Sequence, residues 1–465
     1  MITKDSNRFF SRNDYYDNSI DPLIPEIWAF ESIRILEEEM VMGNLVHRDF
    51  SSEIAQFGEI VHTRKPSEFK AVRKTNADNV TDQDVSATDV EVRLNQWIHV
   101  SFVIKDGEQT KAFKNLVQVY LEPAMMANAR ILDQSLVGQS VQFLSNSRGG
   151  LGKLDDTTAK LYLIDLDEMM NNNKAYASGR NLTLSANSKA GILKAQLFIA
   201  ANERGDAGRA MREATVGRLF GFDTYMDINT PRASAGTLAA TTTVTGAHVA
   251  GDSTIALAAD PGTGVYMTIV GDESPLREVS FAAGVATMSR GLNRAVLGGA
   301  VVQPYSTGAV KNAAGYANGW VKSITVDGTG KPHVGQLVAF NNTGGSVIRT
   351  PEYVIVQVDD LGGGDFDILL DRPLETVLVD NDVVCYGPNG SYNFAFHRNA
   401  LALVNRPLAL PITGTGARSA LAEHNGLSMR VVITYDGKAQ GHRVTLDSLF
   451  GVKTLDVNLG GVLLG

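Results

Sequence analysis

Eight histidines, one cysteine and a few neighbouring carboxylates are the groups in this chain that could ligate a metal or move a proton. Their spacing supports neither chemistry. His47, His62, His99, His248, His333, His397, His424 and His442 form no His-Glu-x-x-His or other metal-ligand pattern, so each is expected at the surface or in packing. Cys385 alone makes neither an internal disulfide nor a cysteine metal cluster, and beside Tyr386 it reads as a small buried residue. Ser147–Leu154 (SRGGLGKL) comes close to a phosphate-cradling loop. However, Ser147 stands where the first Gly is needed, and Leu154 where a Ser or Thr would hold Mg²⁺, which leaves a flexible loop. Asp82, Asp84 and Ser86 open like a calcium loop, but Ala87 replaces its Gly and Arg93 its closing Glu. No G-x-S-x-G nucleophile elbow is present. Asp359-Asp360 flank a Gly-rich turn and read as turn chemistry rather than an acid–base pair. The expectation is no enzyme, no cofactor and no metal.

What remains is an arrangement of charge. The ascending strand of a long excursion carries Lys65, Lys70, Arg73 and Lys74, and its tip carries Asp78, Asp82, Asp84, Asp89 and Glu91. Two readings stay open. The charges solvate a loop, or the two ends meet opposite charges on neighbouring copies, where rim pairs add little affinity but set register. Lys65, Lys70, Arg73, Lys74, Asp82, Asp84 and Asp89 are the candidate inter-subunit contacts. Arg204, Arg209, Arg212 and Arg218 allow the same two readings.

Several elements must position these charges. Residues 1–20 are polar and read as an extended arm. Asp21-Pro22 and Pro25 start a helix in which Ile27, Phe30, Ile33, Leu36 and Met40 recur at three- and four-residue spacing, ending near Gly43. That stripe fits packing on its own domain and packing on a neighbour equally. Gly58–Arg73 reads as strands broken at Pro66. Arg93–Asp106 reads as one long strand, with Trp97, His99, Ser101 and Val103 on one face and Ile98, Val100, Phe102 and Ile104 on the other. The excursion they make exceeds ordinary loop length, with few apolar anchors at its tip and no core of its own, so it is expected to lie on something else. Glu108–Phe143 is the strongest helical segment, with a break or kink expected at Glu122-Pro123. Ser145–Asp156 reads as a loop, KLYLIDLDEMMNNN as a strand or short helix, and Arg180–Asn187 as a strand. Two helices follow, in KAGILKAQLFIAAN and after Asp206.

From Arg232 to Gly390 the pattern changes to short alternating runs rich in Gly, Thr, Val and Ala, as if a β module were inserted into a helix-bearing host. Insertions survive where the host's ends lie close together. ITVDGTGKPHVGQLVAF and YVIVQVDDLGGGDFDILLDRP both read as hairpins, and no clear repeat period is visible. A helical pattern restarts in Tyr392–Pro411, and the last segment reads as a long hairpin turning at Asp436-Gly437 with a returning strand. At 465 residues the chain has material for two to four domains. The net charge of −9 opposes a surface built to grip nucleic acid, without excluding a local basic patch. No stretch reaches the roughly 18 apolar residues of a membrane span, and the opening residues have no leader-like apolar run, so a cytosol-like compartment or a particle built there is expected.

These parts, in this order, resemble a known family. VHRDFSSEIAQFGEIVHTRKPSEF looks like the arm-to-loop entry of tailed-bacteriophage major capsid (coat) proteins of the Hong Kong 97-type fold, closest to short-tailed phage coat proteins that carry an inserted β domain. FKNLVQVYLEPAMMANARILDQSL resembles their spine helix, RNLTLSAN through GRLFGFDTYMDINTP their axial domain, and FAFHRNALALVNRPL with RVTLDSLFGVKTLD the helix and strands after the insertion. The resemblance implies an α+β chain with an N-terminal arm and helix (1–56), an extended β loop (57–106) and the spine helix of a peripheral domain (107–150). It further implies an axial domain in two parts (151–231 and 391–426), an inserted all-β barrel-like domain (232–390), and a peripheral hairpin with return strand (427–465).

The implied function is structural: copies assemble into hexamers and pentamers of an icosahedral shell around double-stranded DNA. The implied partners are itself, scaffolding and portal proteins, a decoration protein, and packaged DNA held without sequence-specific binding. No membrane is involved, and the implied location is the virion capsid, assembled in the host cytoplasm. An encapsulin-like compartment shares the fold, and a β-rich tail or adhesion protein is the alternative from another class.

Overall fold

The computed structural model describes residues 24–48, 60–65, 71, 73–74, 88–106, 120–155, 157–195, 216–233, 241–319, 323–327, 332–345, 347–349, 351–412 and 416–465. The structure is α+β and mostly sheet. Its first part contains helix α1 (Ile24–Glu39), strands β1 (Ile60–Lys65), β2 (Thr88–Arg93) and β3 (Gln96–Lys105), helix α2 (Glu122–Gly138) and strand β4 (Ser147–Gly149). Helix α3 (Ala159–Asn172), β5 (Arg180–Leu184), α4 (Ala186–Lys194), β6 (Arg218–Leu219), β7 (Phe222–Met226) and β8 (Arg232–Ala233) follow.

Helix α1 buries Trp28, Ala29, Ser32, Ile33, Leu36 and Met40 but leaves Ile27 and Phe30 55% and 66% exposed. The expected stripe through Ile27 and Phe30 fails because steps of three residues walk about 60° round a helix each time. After α1 the Asp133 carboxylate of α2 accepts from the N–H of Val41 (2.7 Å) and of Gly43 (3.0 Å), which fixes the turn. The break or kink expected at Glu122-Pro123 falls at the edge of the described residues, where α2 begins. Tyr120–Leu121 form a π turn, and Pro123 sits in the first turn of α2, where its missing N–H is not needed. A 3₁₀ segment, Gln139–Asn146, continues from α2. Two segments resolve further: KLYLIDLDEMMNNN is helix α3, and Ser147–Gly149, expected in a loop, pairs as β4. The helix expected after Asp206 lies outside the described residues.

Beyond β8 come β9 (Thr242–Thr243), β10 (Thr254–Ala256), β11 (Tyr266–Ile269), β12 (Leu276–Ala282), β13 (Val285–Met288) and β14 (Val301–Pro304). Then come β15 (Thr307–Ala309), β16 (Ile324–Asp327), β17 (Leu337–Asn341), β18 (Tyr353–Gly362), β19 (Asp365–Leu370) and β20 (Val383–Tyr386). The first six form a sheet in the order β10-β13-β12-β11-β14-β9, the second six in the order β16-β19-β18-β17-β20-β15. Each sheet closes on itself. Val244 bridges Leu257, with Thr245 N–H donating to Ala256 O at 2.7 Å. Val310 bridges Val326, with Lys311 N–H donating to Thr325 O at 2.9 Å. The stretch between β8 and β21 is thus one six-stranded antiparallel barrel built twice, where a single module was expected.

Superposing the two strand registers pairs Val244 with Val310, Ile255 with Ile324, Met267 with Val338, Ile269 with Phe340, Leu276 with Tyr353 and Val302 with Val384. All are buried, in one apolar core per barrel. Even the irregularity repeats, since register slips between Glu278 and Ser280 and again between Ile355 and Gln357. The expected hairpin in ITVDGTGKPHVGQLVAF is absent, because β16 pairs β19 while β17 pairs β18 and β20. The β18–β19 hairpin forms as expected.

The chain then gives β21 (Gly390–His397), β22 (Leu401–Arg406), β23 (Arg418–His424), β24 (Leu427–Asp436), β25 (Gly441–Thr454) and β26 (Gly460–Leu464). Departure and return points touch: Ala233 pairs Gly390 and Arg232 pairs Ser391. The helix expected in Tyr392–Pro411 is two strands. Six successive residues of β21 and five of β22 are buried, so both faces are covered and the run loses the alternation that marks a strand. A seven-stranded sheet, β4-β26-β21-β5-β7-β6 with β8 beside β21, carries α3 and α4. In the second frame sheet, the 14-residue β25 pairs with β22, β24 and β3, and α1 lies on β23 and β24. Ile98, Val100, Phe102 and Ile104 of β3 face the main core, as the alternation predicts.

Candidate functional site

The excursion between β1 and β3 is where the candidate contact residues cluster. Its root is a two-stranded ribbon in which Ile60 faces Arg93 and Lys65 faces Thr88. Val61, Val92 and Leu94 pack on Ala402 and Val404 of β22, so the ribbon has a small core at its base, where an arm with no core of its own was expected.

Lys65 ends β1 opposite Thr88. Arg73 and Lys74 are exposed. Lys70, Asp82 and Asp84 lie outside the described residues, as do Asp78 and Arg204, Arg209 and Arg212. Asp89, expected at the tip, instead sits within β2 and lies 2.6 Å from the Nδ1 of exposed His62 across the ribbon. Glu91 completes the one group among the described residues, His62, Asp89 and Glu91, whose donor atoms converge within 4.8 Å. All three are exposed to water, which competes for every ligand atom, and Arg93 stands 4.0 Å from Glu91. Arg218 forms an exposed pair with Asp223 of its own hairpin at 3.7 Å.

A groove of about 800 Å³ lies between the frame, where β3 and α2 line it, and the second barrel. Trp97, Ile131, Val356 and Pro373 give it apolar walls, and Asp359 and Asp367 give it carboxylates. The Trp97 indole donates to Asp447, itself bound by Arg430.

The sequence reading missed the buried polar groups at the junctions. Arg277 is 1% exposed and donates to Gly264 O (2.9 Å) in its own barrel and to Phe340 O (3.1 Å) in the other. Arg290 pairs with Glu352 across the same seam. Asp371, fully buried, accepts from Val354 N–H at 2.8 Å and pairs with Arg372 at 2.6 Å. It lies so close to α2 that a Cβ at Gly138 would come 2.5 Å from its Cβ. Burial pushes its carboxyl up from the ordinary range. The Asp133 carboxyl is pushed up to about 7 by burial and then by Asp227. Burial pushes the Cys385 thiol up to about 11, which makes it a poor nucleophile. The available signal was a charged pair, Arg277-Glu278, inside an apolar strand run.

No family model matches the chain, and no curated protein does. Solved structures do resemble it at low identity. A chain of Mycobacterium phage Che8 is 12% identical with TM-score 0.44, over 91% of this chain and 90% of that one. A chain in the capsid of cyanophage P-SCSP1u is 9% identical with TM-score 0.41, over 88% and 84%. One in the mature capsid of bacteriophage PhiM1 is 8% identical with TM-score 0.39, over 88% and 82%.

Proposed function

We propose that this chain is the major capsid protein of a tailed bacteriophage, a structural subunit of the Hong Kong 97-type fold that assembles with copies of itself into an icosahedral shell around double-stranded DNA. The observation that carries the reading is the β1–β2 ribbon. It is anchored by its own small core at the root and leads into a long excursion beside a sheet built on one extended strand, β25. Such an excursion gains contacts by reaching another copy. Head-to-tail contacts between identical chains close into rings, and many weak contacts per subunit make a shell cooperative.

On this reading Lys65, Lys70, Arg73 and Lys74 meet carboxylates of a neighbouring copy, and Asp82, Asp84 and Asp89 meet its basic groups. The tandem barrels extend from the frame as the inserted domain of residues 232–390. Hexamers and pentamers, scaffolding and portal proteins and a decoration protein are the partners, and DNA is enclosed without sequence-specific grip. Among the described residues no helix is long and apolar enough to cross a membrane.

Negative-stain electron microscopy tests the proposal, on the chain made alone and made with its neighbouring genes. Closed shells, tubes or sheets of hexameric units are expected. Monomers or slender trimers in both preparations would end it.

A further inference from the structure

Barrel one has a flaw that barrel two lacks. Glu278 occupies the position of Ile355, on the same strand and beside the same register slip. Ile355 is a buried core residue of the second barrel. Glu278 is equally buried, at 0% exposure, yet among the described residues neither Oε1 nor Oε2 meets a donor group, the side chain within hydrogen-bonding reach being the carboxyl of Asp260. Met288 faces it across β13, and the charged neighbour acting on it is another carboxylate, Asp260. A buried carboxylate without donors is strongly unfavourable unless something neutralises it. The second barrel demonstrates that the fold does not need one there.

We propose that Asp260 and Glu278 form a divalent-cation site of calcium type at one end of the first barrel. The donor set is oxygen only, which suits a hard cation. Asp260 is exposed and opens the loop between β10 and β11, giving an ion access from solvent. Its Oδ1 is held by the Gly262 N–H at 2.7 Å, and Gly262 and Gly264 take positive φ of 113° and 78°, so the loop backbone curls around that carboxylate. Two carboxylates with water in the remaining positions place the site in the weak class, with a Kd of about 10⁻⁴–10⁻³ M.

The test uses the full chain, stripped with a chelator, at pH about 8, above the value of about 7 to which burial pushes the Glu278 carboxyl. Thermal unfolding and limited proteolysis are followed while calcium chloride is titrated through the millimolar range, with magnesium chloride at matched ionic strength as the comparison. Calcium at ten times Kd should raise the unfolding temperature of the paired barrels by about 3–6 °C and slow cleavage of the first. Glu278→Gln and the exposed-side change Asp260→Asn should lose that response. Glu278→Ile, which installs the residue of the other barrel, should be calcium-independent and as resistant without calcium as the parent is with it. A response that persists in these variants would put the ion elsewhere, His62, Asp89 and Glu91 included, and overturn the proposal. A parent indifferent to calcium but stabilised by acid would overturn it too, and make the pair a shared-proton site.

Discussion

The two tandem barrels share strand order, closure and even the position of a register slip, yet their interiors differ. Where the first barrel has Leu276, Glu278 and Ala286, the second has Tyr353, Ile355 and Ile368. Where the first has Arg277, the second has Val354. The topology therefore tolerates wholesale change of core volume, provided inward positions stay apolar and the turns keep their geometry. The exceptions are informative because the other copy supplies the control. Arg277 departs from the pattern where it bonds to the second barrel, and Glu278 departs beside Asp260.

The harshest way to break the comparison is to move the flaw. Ile355→Glu would bury a carboxylate with no partner in the second barrel and should destabilise it by about 3–5 kcal/mol. Denaturant unfolding at alkaline pH measures this, and a loss under about 1 kcal/mol would mean that the site admits water. The next effect needs no mutation. Burial, and then Asp260, push the Glu278 carboxyl from its ordinary 4.5 up to about 7. The folded chain thus holds a proton that the unfolded chain has released between those values. Without divalent cations, stability should fall by about 2–3 kcal/mol as pH rises from 4.5 to 7 and level off above, and Glu278→Gln should flatten that slope. Asp133, pushed up to about 7, adds a loss of the same sign that Glu278→Gln leaves in place.

How much of this was legible depended on what the residues had to encode. The Asp436-Gly437 turn and the β24–β25 hairpin were legible, because turn chemistry and alternation are local. The strands β21 and β22 were not, because burial on both faces erases the period that separates strand from helix. The barrel repeat was invisible because its copies keep burial rather than identity. Its unequal loops also leave no fixed period, as the spacing from Val244 to Val310 against that from Val302 to Val384 makes plain. Of the candidate contacts, Asp89 turned out to be occupied within its own ribbon. A cross-strand partner such as His62 is fixed by register, which spacing alone does not reveal.

Arg277→Val exchanges one barrel's seam residue for the other's. It strips donors from the carbonyls of Gly264 and Phe340 and should cost about 2–3 kcal/mol, read as separate unfolding of the two barrels in place of one transition. If the barrels still melt together, the Arg290–Glu352 pair and the frame contacts are enough to couple them.

The smallest effect sharpens the comparison most cleanly. Gly299 and Asn381 are equivalent: the N–H of each donates to a carbonyl of the first strand of its barrel, Val244 O at 2.8 Å and Val310 O at 2.9 Å. Both are left-handed, with φ of 85° and 64°. A Cβ at Gly299 would meet no atom within 4 Å, so only the backbone preference is at stake. Gly299→Ala and Asn381→Ala should therefore each cost about 1 kcal/mol, since Ala disfavours that region, where Gly is at ease and Asn is tolerated. Asn381→Gly should change stability by under about 0.5 kcal/mol, relief of strain being offset by the freer unfolded chain. Equal losses from the two alanine variants, measured by chemical unfolding, would mean that one turn geometry serves both barrels. Unequal losses would mean that the loops have diverged beyond their shared hydrogen bonds.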